Sequence, residues 1–239
     1  KGDGAFRFAA RIGDMALGGT GAAIIPVTPF RQNTSLVWCE TTKKAAFIDP
    51  GGEIPRLMDA VKQTGVTVEK ILLTHGHLDH AGAAAEISET LGIPIEGPHR
   101  DEDWLLAKLE ASAAKYGFKG ARNCTPTRWL DDGDQVTVGD VTFDVFHCPG
   151  HTPGHVVFVQ KEARIAFVGD VLFKGSIGRV LNHYNNLLLK GDISADLTDQ
   201  NSPMEAKVLD WLQKTQFYQK HRDSVEILPQ FPIGDYLRQ

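Results

Sequence analysis

The tightest constraint on this chain is a run of six residues, His75-Gly76-His77-Leu78-Asp79-His80. It places three histidines and an aspartate directly behind the apolar stretch Ile71-Leu72-Leu73-Thr74. EKILLT (69–74) reads as a short buried strand, and AGAAAEISETLG (81–92) reads as a helix stopped by Gly92. The backbone must therefore pass from strand to helix within a few residues, carrying the imidazoles at the edge of a sheet. His75 and His77 lie two apart, so an extended strand end sends both rings to the same side. Asp79 and His80 follow the turn and face a second point. Neutral imidazole and carboxylate are ligands of zinc and iron. A polar loop whose histidines cap the next helix is the plainer reading. Three of the chain's nine histidines within six residues weigh toward a metal site.

Two further strand ends carry chemistry. QVTVGDVTFDVFHC (135–148) alternates strongly around Gly139-Asp140 and reads as a hairpin. It leads into Cys148-Pro149-Gly150-His151-Thr152-Pro153-Gly154-His155, a loop stiffened by two prolines. His151 at its apex is a candidate ligand. His155 starts the next strand and reads as a residue that orients or packs beside the ligands. Cys148 reads as a small buried hydrophobe, with ligand or nucleophile as the other readings. In Phe167-Val168-Gly169-Asp170 an aspartate ends an apolar run. His75, His77, His151 and Asp170 form one set of ligands; Asp79, His80 and a shared Asp170 begin a second. Two metals about 3.5–4 Å apart would hold a hydroxide and polarise a carbonyl or phosphoryl oxygen, with Asp79 and Asp170 as the carboxylates nearest the chemistry.

The remaining pattern is α/β. Strands are expected over 24–30, 35–40, 45–51, 155–160, 164–170 and 224–229, and helices over 53–65, 101–116 and 203–220. Strands alternate with helices but also pair in hairpins, which predicts mixed sheets covered by helices. No linker divides the 239 residues, so 24–239 is expected to be a single domain, atypical over 180–239. Residues 1–23 read as an N-terminal extension: a flexible lead-in, an added edge strand or a remnant of cloning, and a poor signal peptide. No apolar run reaches the ~20 residues of a membrane span. A net charge of -5 disfavours a nucleic-acid partner, and three cysteines fit a reducing, cytoplasmic setting better than a disulfide framework.

THGHLDH, CPGHTPGH and the later GD with FKGSIGR resemble the metallo-β-lactamase superfamily. IIPVTPFRQN, SLVWCE, FIDPGG, LLTHGHLDHAGAAAE, TRWLDDGD and HCPGHTPGHVVF, spanning about 24–179, resemble its small single-domain glyoxalase II-like hydrolases. The resemblance implies a four-layer αββα sandwich with mixed sheets and metals at one sheet edge. It implies zinc, one ion or two, with iron or manganese as the other candidates. It assigns His75, His77 and His151 to one metal, Asp79 and His80 to the other, and Asp170 to the bridge. Asp49, in the DPGG turn, would orient the histidine loop. The implied substrate is a small thioester, a glutathione conjugate such as S-lactoylglutathione, attacked by metal-activated hydroxide, with Lys174 and Arg179 as cationic contacts.

The tail departs from that pattern. The family ends a late strand in a Pro-Gly-His-Gly turn whose histidine completes the second metal site. Here Gln230-Phe231-Pro232 follows SVEILP, so Phe231 falls in the histidine's place. The segment 180–200 matches nothing in the family, and it offers His183, Asp192, Asp196 and Asp199 as substitutes. His221 is explained by a helix end alone. Two alternatives therefore stand beside the thioesterase: a mononuclear-iron persulfide dioxygenase, and an impaired or engineered member with an altered second site. Oligomeric state is not legible.

Overall fold

The computed structural model of the protein describes residues 19–173, 176–177 and 226–227. The first sheet has the order β1 (Thr20–Val27), β2 (Gln32–Cys39), β3 (Lys44–Ile48), β4 (Thr67–Leu72), β5 (Ile95–Glu96). The pairs β1/β2 and β2/β3 are antiparallel, β3/β4 and β4/β5 parallel. The parallel pairs need crossovers, which are helical: α1 (Ile54–Thr64) before β4, and α2 (Leu78–Ala81) with α3 (Ala84–Leu91) before β5. The second sheet has the order β12 (Glu226–Ile227), β9 (Ile165–Phe167), β8 (Val156–Gln160), β7 (Val141–His147), β6 (Gln135–Val138). It is antiparallel except for the parallel β12/β9 pair. β10 (Leu172–Phe173) and β11 (Ser176–Ile177) form a separate hairpin.

The two sheets face each other. Val37, Ala46, Ile48 and Leu72 of the first pack with Val136, Phe143, Val145, Phe158 and Phe167 of the second. The first sheet's other face, with Ile25, Leu36, Phe47 and Ile71, is covered by Leu57 and Ala60 of α1, Ile87 of α3, and Leu106 and Leu109. Alternation along the strands supplies one set of side chains to each face. The outer face of the second sheet also buries Val157, Val159 and Ala166. This is the mixed-sheet α/β sandwich that the sequence led us to expect. The helix expected over 203–220 lies outside the described residues. Among the described residues no helix is long and apolar enough to cross a membrane.

The largest differences from expectation are in one strand and two helices. β1 begins at Thr20 rather than Ile24, because Thr20 to Ala23 pair with Cys39 to Leu36 of β2, and Gly21 permits this by leaving room for the Trp38 ring, where any Cβ would collide. Local propensity misses this, since the small residue is demanded by a neighbouring strand. The helix expected over 81–92 is α3 alone, with the short α2 set before it over 78–81, and the two are separate because the Ala83 amide donates to Pro50 O instead of continuing the ladder. The helix expected over 101–116 is a 3-10 turn (Arg100–Glu102), α4 (Asp103–Leu106) and α5 (Leu109–Tyr116). A distant loop seals that break: Cys124 N donates to Leu106 O, and Asn123 Oδ1 accepts from Glu110 N at the start of α5.

Candidate metal centre

The centre is built outward from Asp49, at the end of β3. Its backbone is held at φ 53° by the Thr34 hydroxyl on its carbonyl at 2.8 Å, and its amide donates to Leu72 O. The fixed carboxylate reaches across to the end of β4. Oδ1 accepts from Thr74 N at 2.7 Å, and Oδ2 accepts from Thr74 Oγ1 at 2.6 Å and from His80 Nδ1 at 2.9 Å. The Thr74 hydroxyl has one proton and gives it to Asp49. It therefore accepts from His75 Nδ1 at 3.1 Å. These bonds put a proton on Nδ1 of both His75 and His80 and aim both Nε2 atoms into the site, the orientation that metal-binding imidazoles need.

The ring nitrogens of the first set converge. His75 Nε2 lies 3.0 Å from His77 Nδ1, which lies 2.9 Å from His151 Nε2; that atom is 3.4 Å from Asp170 Oδ2. Ligand atoms at ~2.0–2.1 Å from a tetrahedral zinc stand about 3.3 Å from one another. The other oxygen of Asp170 faces His80 Nε2 at 3.3 Å, and Asp79 Oδ2 is 3.8 Å from the same nitrogen. Asp170 is thus shared between two donor sets. His77 occupies the N-cap position of α2, yet its side chain makes no capping bond; it turns to the other histidines, against the helix-capping reading.

The electrostatics suit a cation. Burial, then the neighbouring imidazoles, holds His75 well below the usual histidine range; burial and His151 push His77 down to about 3. Their rings stay neutral, so protonation does not resolve the crowding of lone pairs. Burial alone would raise Asp170, but His80 and His151 hold its carboxyl below the usual range. Burial raises Asp79. Burial opposes charge on His80 as well, and the two carboxylates outweigh it, keeping its pKa well above normal. The neutral rings of His75 and His77 beside buried carboxylates are donors that a divalent metal satisfies, and at His80 a metal would take the place of the ring proton that the carboxylates now hold.

His155 lies outside both sets. It stacks on His75 with ring centroids 4.6 Å apart, and its Nε2 accepts from the Asp170 amide at 3.1 Å. Cys148 is buried among apolar side chains, its thiol pushed up to about 12 by burial, which removes it as a nucleophile. A second group, His99, Asp101 and His147, also places donor atoms close together. The His99 and His147 rings, however, are stacked, with centroids 4.3 Å apart at 19°. In-plane lone pairs of stacked rings run side by side and do not meet, so this pair is packing. Lys174, Arg179, His183, Asp192, Asp196, Asp199, His221 and Phe231 lie outside the described side chains. The residues missed by sequence reasoning are Thr74, which orients His75, and Glu102, whose carboxylate bonds the amides of Gly76 and Gly154. Thr74 had a signal, since it directly precedes His75; Glu102 had none.

The centre also depends on the Gly51-Gly52 turn. A Cβ on Gly51 would stand 1.6 Å from the Asp79 carbonyl oxygen, so alanine there must displace backbone at the start of α2. Gly51→Ala is expected to weaken metal retention strongly and to cost about 1–3 kcal/mol or more as an overpacked site. Equilibrium dialysis against zinc, beside urea melts, checks both.

Comparison with known proteins agrees with this geometry. The family model of the metallo-beta-lactamase superfamily matches residues 27–210. Hydroxyacylglutathione hydrolase GloC of Haemophilus influenzae is 43% identical over 157 residues, covering 65% of this chain and 74% of that one. Among solved structures, the BLEG-1 B3 metallo-beta-lactamase is 35% identical at a TM-score of 0.59, covering 66% of this chain and 76% of its own. TTHA1623 in a di-iron-bound form is 28% identical at a TM-score of 0.62, covering 90% of this chain and 96% of its own. The relatives and the His/Asp cluster support a metal-dependent hydrolase that binds a divalent metal, and the chain belongs to the metallo-beta-lactamase superfamily.

Proposed function

We propose that the protein is a thioester hydrolase acting on S-acylated glutathione, with zinc at the centre. The observation that carries the hydrolytic reading is the pair of donor sets sharing Asp170 at one edge of the sandwich. The choice of thioester rests on the likeness to the Haemophilus influenzae hydroxyacylglutathione hydrolase. His75, His77, His151 and Asp170 would hold one metal; Asp79, His80 and Asp170 would hold another. When bound, the metal supplies Lewis-acid polarisation of the acyl carbonyl and an acidified water.

The chain's own residues do the positioning. Asp49 fixes the ring of His80 directly and that of His75 through Thr74, so neither ligand has to reorganise. The His155 ring accepts a hydrogen bond from the Asp170 amide and so steadies the backbone that carries the shared carboxylate. Asp79 has the most exposed carboxylate of the set, at 22%. A thiolate leaves readily, so the site needs no strong general acid.

Zinc-replete protein given S-lactoylglutathione is expected to release free thiol, measured with a chromogenic reagent, well above an Asp79→Ala control. Equal release from both would sink the thioesterase reading. Oxygen consumption by an iron-loaded sample on a persulfide would favour the dioxygenase instead.

A further inference from the structure

The two loops that bring His75, His77 and His151 together come from different sheets; they meet where the Val156 amide donates to Thr74 O at 2.8 Å and where the His155 ring stacks on His75. One side chain from outside both loops ties them a further time. Glu102 ends the 3-10 turn of residues 100–102 and is fully buried. Its Oε2 accepts the Gly76 amide, between the two ligand histidines, at 2.8 Å. Its Oε1 accepts the Gly154 amide, three residues beyond His151, at 2.7 Å. Both glycines lie against it. A Cβ on Gly76 would meet Leu105 Cβ at 2.8 Å and Glu102 Oε2 at 3.3 Å; one on Gly154 would meet Glu102 Cγ at 2.7 Å and the Glu102 amide nitrogen at 2.9 Å. The loop is tied a second time next door, where the His99 amide donates to Gly154 O at 3.1 Å.

We infer that Glu102 is a positioning residue that sets the gap between the His75–His77 pair and His151, and so sets how tightly the centre holds its metal. A carboxylate suits this task because it has two equivalent acceptors at a fixed angle and no donor. An amide side chain of the same size offers one acceptor and turns an NH2 group toward the other backbone N–H. Burial pushes the Glu102 carboxyl up, and the Gly76 and Gly154 amides pull it back. A buried carboxylate is a costly feature, and the two amides help to offset it. Outer contacts that orient ligands are worth 10–100-fold in metal affinity. Glu102 acts one step further out, on the loops that carry the ligands.

The inference rests on the reading of His75, His77, His151 and Asp170 as a metal site. Its test is the substitution Glu102→Gln in the full chain, with two measurements. Zinc affinity, by competition with a chromophoric chelator, is expected to fall 10–100-fold. The visible absorption bands of the cobalt-saturated variant are expected to shift from those of the unaltered protein, because the ligand geometry has changed. Affinity within threefold of the unaltered protein overturns the inference. So does an unchanged cobalt spectrum alongside lowered thermal stability, since that marks a purely structural role. If the unaltered protein binds neither zinc nor cobalt, the metal-site reading itself falls and takes this one with it. Should the variant not fold, amide hydrogen exchange in the unaltered protein decides. Gly76 and Gly154 are expected to be among its slowest-exchanging loop amides, and fast exchange at either overturns the clamp.

Discussion

Alanine at His77 is expected to remove most of the metal from the centre and nearly all of the hydrolysis. His77 Nδ1 lies within 3.0 Å of ring nitrogens of both His75 and His151, so it joins them across the first donor set. Its loss leaves two imidazoles and a shared carboxylate. Several kcal/mol of charge stabilisation disappear with the metal, which at 1.36 kcal/mol per decade is about a thousandfold or more in rate. Elemental analysis of purified His77→Ala beside the thiol-release assay checks both effects. Unchanged stoichiometry would sink the assignment of the first set. The fold itself should survive, because the ring is not part of either sheet's apolar core.

The largest effect on stability is expected at Phe143. It lies on β7, fully buried between the sheets, with the Phe167 ring centroid 6.1 Å away on the same sheet. Phe143→Ala removes a ring from a place where β-sheet backbones on both sides prevent collapse, so most of the cavity remains. The cost is about 3–5 kcal/mol, a large share of the ~5–15 kcal/mol available to a domain. The melting temperature should fall by about 6–20 °C. Calorimetry of the metal-free protein separates this from any contribution of bound metal. A fall under 3 °C would show that the sheets close over the gap.

What was legible in the sequence was whatever a single segment carries. The strand before His75, the hairpin turning at Gly139-Asp140, and the stop of α1 at Gly65, whose φ is 67°, all rest on short-range patterns, and the structure has them. The candidate ligands were legible because donor side chains at three strand ends stand out from apolar runs. What escaped depends on contacts between distant segments. Gly21 reads as a strand breaker until the Trp38 ring is laid over it. The acids at 101–103 read as a helix N-terminus answering its dipole, whereas Glu102 turns inward to two loops 26 and 52 residues away. The break at Lys108 depends on Asn123 and Cys124 and leaves no trace in the helical periodicity.

The parallel pairing of β12 with β9 has a consequence for the order in which this chain folds. Every strand of the first sheet comes from the contiguous stretch between Thr20 and Glu96, so its pairs form from neighbours in sequence. The second sheet is contiguous only through Phe167; its last strand joins Glu226 to Ile165 across some sixty residues. Loop closure of that length delays a contact more than it weakens it. A ribosome releasing the chain from its N-terminus would free the first sheet early and leave β9 with an open edge until residue 227 emerged. An unpaired edge is where chains find the wrong partner. The histidines at 75–80 belong to the early half and His151 with Asp170 to the late half, so the metal pocket exists only after the halves dock. Metal uptake would then time the docking of the two sheets, a step distinct from the later pairing of β12.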